Sequence, residues 1–133
     1  MVGIIVTGHG NFASGISSAV SFVAGDQNNY MVVEFGENDT YDELKEKLFN
    51  AAAKLKECHE ILIFTDLIGG SPFKAAVEIS VADEKNIRVV SGTNLGMLLE
   101  CVMQKDSVET VDELVKRAID TGKNQVVSFE FPE

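Results

Sequence analysis

Two kinds of apolar pattern alternate along this chain, and that alternation is what most constrains its fold. Residues 2–7 (VGIIVT) and 60–65 (EILIFT) are nearly unbroken apolar runs rich in β-branched side chains. A strand that is apolar on both faces belongs in a parallel sheet covered by helices on both sides. Between such runs the apolar residues fall at helical spacing, as Leu44, Leu48, Ala51, Ala52 and Leu55 do. The order strand, helix, strand, helix predicts an α/β fold.

Punctuation sets the element boundaries. A first helix is predicted over 12–24, with Asn11 as its N-cap and Gly25 as its stop. A second strand covers 30–35. Thr40 and Glu43 have capping-box spacing and open a helix to about Lys56. After strand three, DLIGGSPF leads into a helix to about Val81, with Ser71 at its N-cap and Pro72 at its first helical position. A fourth strand over 87–90, the loop SGTN, a short helix over 95–103 and a last helix opened by Ser107 or Thr110 and ended by Gly122 complete the pattern. Val127, Phe129 and Phe131 alternate with Ser128 and Glu130, which suits an antiparallel edge strand over 125–131. The expected architecture is an open, mostly parallel sheet in the order 2-1-3-4, flanked by helices and closed by that antiparallel edge strand.

With 133 residues, 45% of them hydrophobic, the chain reads as one domain over 1–133. No apolar stretch is long enough to span a bilayer and no signal-peptide pattern opens the chain, so the expected location is cytoplasmic. Cys58 and Cys101 lack metal-ligand spacing and read as reduced, buried thiols. The formal charge of −10 argues against nucleic acid or an anionic membrane surface, both of which need a basic face. An anionic ligand would therefore have to be held by local dipoles.

In open α/β sheets ligands bind beyond the carboxyl ends of the strands, where the strand order reverses. In the predicted order that point lies between strands 1 and 3, so GHG and DLIGGSPF should meet there, with His9 facing Asp66. A histidine in a turn is commonly a surface or structural residue, but this one stands at a strand's carboxyl end between Gly8 and Gly10. His59, in the polar stretch KECHE, falls at the opposite end of the sheet and reads as structural. Asp66 taken alone reads as a turn residue. Opposite an imidazole, a carboxylate fixes the tautomer, raises the nucleophilicity of the other nitrogen and stabilises positive charge. Gly69, Gly70 and Ser71 open a helix whose N-terminus favours phosphate through free N–H groups and the helix dipole. A nucleophilic histidine beside an anion cradle suggests phosphoryl transfer through a phosphohistidine. Ser91, Gly92, Thr93 and Asn94 are candidate rim contacts.

Other chemistries fit less well. The chain has no GxxxxGK[ST], no GxGxxG and no acidic cluster for Mg²⁺ with ATP. One His and one Asp are too few ligands for zinc, and GGSP is not the GxSxG elbow of a hydrolase. No metal and no cofactor is expected.

The strand ending in GHG, DLIGGSPF after strand three, SGTNLGML after strand four and the terminal strand together resemble the IIA component of the mannose-family phosphoenolpyruvate-dependent sugar phosphotransferase system (mannose, fructose, sorbose and N-acetylgalactosamine). The likeness runs the length of the chain, and DLIGGSPF is its more specific motif. It implies that His9 accepts a phosphoryl group at Nε2 from phospho-HPr and passes it to a histidine of a IIB component. The sugar is then phosphorylated during uptake through membrane-bound IIC and IID subunits, with which this chain associates only indirectly. Asp66 would orient Nδ1, and Ser71 would contact the phosphoryl group beside Gly69 and Gly70. Gly10, Asn11, Phe12, Pro72, Ser91 and Asn94 would meet partners or form the rim. The resemblance also implies a homodimer in which each last strand joins the other subunit's sheet. Lys74 departs from the family pattern, which has a small polar residue such as Asn there; it would modulate contacts and leave the chemistry unchanged. The end of the sequence at Glu133 carries the expectation that no IIB domain is fused to it. Two alternatives stand beside this reading: a phosphoryl donor subunit for dihydroxyacetone phosphorylation, and a non-enzymatic regulatory module that holds an anion without chemistry.

Overall fold

The computed structural model describes residues 1–132. Its elements run β1 (Val2–His9), α1 (Phe12–Ala24), β2 (Tyr30–Phe35), α2 (Tyr41–Lys54), β3 (Glu60–Phe64), α3 (Ser71–Ala82), β4 (Asn86–Val90), α4 (Leu95–Gln104) and α5 (Val111–Asn124). The four strands pair in the order β2-β1-β3-β4, every neighbouring pair parallel. This is the predicted order, and it puts β1 and β3 side by side where the chain's direction of travel across the sheet reverses.

The apolar runs are buried on both faces because each face has its own helical layer. Ile4, Val6, Leu62 and Phe64 pack on one side with residues of α1, α4 and α5. Ile5, Ile61, Ile63 and Ile87 pack on the other with α2 and α3. Each of these side chains contributes about 1.5–3 kcal/mol by leaving water. Cys58 and Cys101 lie within the two layers as free thiols. Burial pushes the Cys101 thiol up to about 12, so it stays protonated and unreactive.

Local signals place the helix starts. Thr40 and Glu43 exchange both bonds of a capping box at α2. Thr110 accepts from the Glu113 N–H at α5, and Asn94 accepts from the Met97 N–H at α4. At α3 the start shifts by one residue from expectation. Gly70 is the N-cap, its carbonyl accepting the first helical bond from the Lys74 N–H, so Ser71 and Pro72 are the first two helical residues. The Ser71 hydroxyl makes no capping bond. The last helix also outruns its predicted stop: Gly122 lies inside α5, where the missing side chain lets Met97 of α4 pack against the backbone.

The antiparallel strand expected over 125–131 does not form within the single chain. A strand needs a neighbour's backbone groups to pair with, and among the described residues this segment pairs with none, although β2 and β4 leave the sheet open at both edges. Val127, Phe129 and Phe131 remain 81%, 74% and 84% exposed.

One buried group breaks the pattern of satisfied polar atoms. Thr7 of β1 is fully buried, yet its Oγ1 has no hydrogen-bond partner among the described residues. A lone buried hydroxyl costs stability that an apolar group of the same shape avoids. Thr7→Val is therefore expected to raise the unfolding free energy by about 1 kcal/mol, measured by urea denaturation. A loss of stability would show that the hydroxyl has a partner in solution.

Candidate active site

β1 ends on His9, and β3 is followed at once by Thr65 and Asp66. Val6 lies opposite Phe64, so two residues further on Gly8 comes level with Asp66. The glycine is required there. A Cβ at Gly8 would stand 3.0 Å from the Asp66 carboxyl carbon and 2.5 Å from the Phe12 ring. Without it, the carboxylate lies against the end of β1 and reaches His9.

Asp66 then accepts three N–H bonds of 2.8 Å. The His9 backbone N–H and the His9 ring at Nδ1 both meet Oδ2, and the Leu67 backbone N–H donates to Oδ1. Burial works against the charge on this carboxyl, but the His9 and Leu67 donors outweigh it and hold its pKa below the ordinary value. The group therefore contributes stability above the ordinary carboxylate pKa and loses it as pH falls through the lowered folded value.

An ionised carboxylate only accepts, so Nδ1 carries the proton and donates. In the neutral ring Nε2 then holds a free lone pair. The Cε1–Nε2 edge of the ring lies beside the start of α3: a Cβ placed on Gly70 would lie 2.9 Å from His9 Cε1 and 3.5 Å from Nε2. Gly70 is thus the second glycine whose missing side chain makes room for the site. Ser71 follows it, partly exposed, at the first position of α3, where free N–H groups and the helix dipole favour an anion. The His9 side chain is 44% exposed and Asp66 13%, so the ring is partly open to solvent while its carboxylate partner is covered.

The other candidate residues fall into different places. Gly69 precedes the α3 cap in an exposed turn, and Asn11 caps the start of α1 by position without a side-chain bond. Phe12 and Pro72 serve packing: Phe12 lies against the core layer of α1, and Pro72 is buried in α3. The Gly10 N–H is bonded to the Phe35 carbonyl at 2.8 Å. Asn94 is occupied at both ends, accepting from Met97 and donating to the Gly122 carbonyl at 3.0 Å. With Ser91 it lines a groove of about 270 Å³ against α5. A separate cavity of about 690 Å³ includes Met1, Asn28 and Lys54, at the amino-terminal end of the strands. Lys74 is exposed on α3, and among the described residues no three His, Cys, Asp or Glu side chains gather to hold a metal ion.

Sequence reasoning missed two supports of the site. Phe35, the last residue of β2, meets the His9 ring edge to face at a centroid distance of 6.0 Å. Topology makes β2 the neighbour of β1, but only the register of the two strands sets Phe35 opposite His9. The second support is the β4–α4 loop. The Gly92 N–H donates to the Asp66 carbonyl at 2.8 Å, and the Thr93 hydroxyl donates to the Thr65 carbonyl at 2.7 Å. No pattern in SGTN announces those bonds.

Residues 3–119 match the family described as "PTS system fructose IIA component", EIIA-man. The chain belongs to that family. It is a mannose-family IIA component of the phosphotransferase system, and relatives and solved structures agree. It is 34% identical over 129 residues to the mannose-specific EIIAB component of Escherichia coli K12, covering 97% of this chain and 40% of that protein. The chain therefore spans well under half the length of that relative. It is 30% identical to the fructose-specific EIIA component of Bacillus subtilis, over 86% of this chain and 77% of that one. Among solved structures it resembles a phosphotransferase system component EIIA from Streptococcus agalactiae, with a TM-score of 0.90 and 35% identity, covering 96% and 97% of the two chains. No described helix of this IIA component is long and apolar enough to cross a membrane.

The contact between Gly70 and the imidazole gives a direct test. Gly70→Ala is expected to displace the ring, changing the Nδ1 and Nε2 NMR shifts of His9, at a cost of about 1–3 kcal/mol from overpacking. Wild-type shifts in that variant would mean that the loop gives way instead.

Proposed function

We propose that this IIA component is a phosphoryl relay in which His9 takes a phosphoryl group from phospho-HPr and passes it to a IIB component, feeding sugar uptake and phosphorylation through the membrane subunits. The observation that supports it best is the placement of the ring: Asp66 binds Nδ1, and the Cε1–Nε2 edge lies beside Gly70 at the start of α3. In the transfer, Nε2 attacks phosphorus as the bond to the donor's histidine breaks, and the donor ring leaves with its electron pair. The His9 ring becomes positive, which Asp66 stabilises through the Nδ1 proton. The Ser71 N–H and hydroxyl, at the first position of α3, receive the phosphoryl oxygens, while the Gly70 N–H stays bonded to the Leu67 carbonyl at 3.2 Å. Transfer to the IIB component repeats the step in the other direction, and catalysis consists of positioning and charge stabilisation. Leu67 and Ile68, 62% and 79% exposed beside Asp66, give the rim an apolar surface for the partners.

Incubation with phosphoenolpyruvate, enzyme I and HPr, followed by intact mass analysis, tests this reading. One acid-labile phosphoryl group is expected on the wild-type chain and none on His9→Ala. An unmodified wild-type chain in the presence of phosphorylated HPr would overturn the relay and favour an anion-binding module.

The same reading includes a homodimer in which residues 125–131 pair with the partner subunit. Its support is the exposed alternating stripe of Val127, Phe129 and Phe131, an apolar surface that calls for cover. Sedimentation is expected to give a dimer for the whole chain and a monomer for a chain cut after Asn124. A dimer in both would place the interface elsewhere.

A further inference from the structure

His9 is bonded to Asp66 through one ring atom, and one hydrogen bond leaves an imidazole free to pivot about it. What limits the pivot comes from the two neighbouring strands. β1 lies between β2 and β3. From the β3 side, Gly70 and the start of α3 approach Cε1 and Nε2. From the β2 side comes Phe35, the register partner of His9, its ring 6.0 Å away and inclined by 65°. Phe35 is itself well held. Its carbonyl accepts the Gly10 N–H at 2.8 Å, and its side chain packs against the layer formed by α2 and α3. It has no bond to make with a phosphoryl group, and its apolar ring could have been buried wholly in that layer.

We propose that Phe35 is a positioning residue for His9. It stands as a plate on the β2 side of the imidazole, so the ring keeps the plane in which Nδ1 meets Asp66 and Nε2 meets the start of α3. Edge-to-face geometry favours this arrangement over a stacked one. Small misplacements of a reacting group carry large kinetic costs, so an aromatic plate that acts on orientation should influence the transfer rate more than the binding of the donor.

The inference rests on the relay reading for its kinetic arm alone. The variants are Phe35→Leu, which keeps an apolar residue of similar size, and Phe35→Tyr, which keeps the plate. The first readout is the His9 side-chain nitrogen NMR spectrum, which reports the Nδ1–H tautomer with no phosphoryl donor present. Phe35→Leu is expected to show a mixed tautomer, and Phe35→Tyr the wild-type spectrum. The second is the single-turnover rate of phosphoryl uptake from phospho-HPr. Phe35→Leu is expected to lower the saturating rate about tenfold or more, to leave the half-saturating donor concentration unchanged, and to be rescued in Phe35→Tyr. A folded Phe35→Leu protein with the wild-type tautomer and rate would overturn the proposal. If the wild-type chain takes no phosphoryl group at all, the relay reading fails and the tautomer measurement decides the role of Phe35.

Discussion

The site depends on one carboxylate. Asp66 receives three N–H groups, two from His9 and one from its own neighbour Leu67. In doing so it joins the ends of two strands whose residues are far apart in sequence. Each part of that arrangement has a requirement elsewhere. The carboxylate can lie against β1 because Gly8 has no side chain, and its backbone is held because the β4–α4 loop donates to the carbonyls of Thr65 and Asp66. A charged hydrogen bond of this kind is stronger than a neutral one, and here it also determines which ring nitrogen remains free.

The overall charge of −10 and an anionic ligand are compatible because the two act over different distances. At physiological ionic strength the field of scattered surface carboxylates fades over about 8 Å. The N–H groups at the start of α3 act at hydrogen-bond range, where screening is weak. Asp66 is the acidic group nearest the ring, and its charge is engaged by N–H donors on both oxygens. An anion at Nε2 would meet the side of the imidazole remote from that carboxylate.

The fold was legible because its signals are local and repeated. Unbroken apolar runs identified the buried parallel strands, and Thr40 with Glu43 marked a helix start that the structure reproduces bond for bond. Glycine signals were less secure. Gly122 has the form of a stop, yet it lies within α5 because Met97 needs the space, a tertiary requirement with no local mark. Ser71 has the form of a cap, yet the cap is Gly70, which leaves the serine hydroxyl unused by the helix. The alternating pattern of residues 125–131 correctly describes a segment with one apolar side, but periodicity does not supply the neighbour that would make it a strand. His9 and Asp66 could be brought together from topology alone. Phe35 could not, because its contact depends on the register of β1 against β2.

Exposure and protection are balanced at His9 by the choice of its neighbours. In the proposed relay His9 would have to admit a partner's ring, and 44% exposure of its side chain leaves room for that approach. Its other boundaries are a carboxylate, a glycine backbone and a phenylalanine edge. None of the three brings a free base to activate water: the carboxylate is engaged by N–H groups, and the other two have no basic side chain. In the proposed relay the surroundings that would fix the ring for attack therefore bring hydrolysis no free base. Incoming water would have to react without a general base, whereas a docked histidine arrives as a nucleophile already oriented by the protein that carries it.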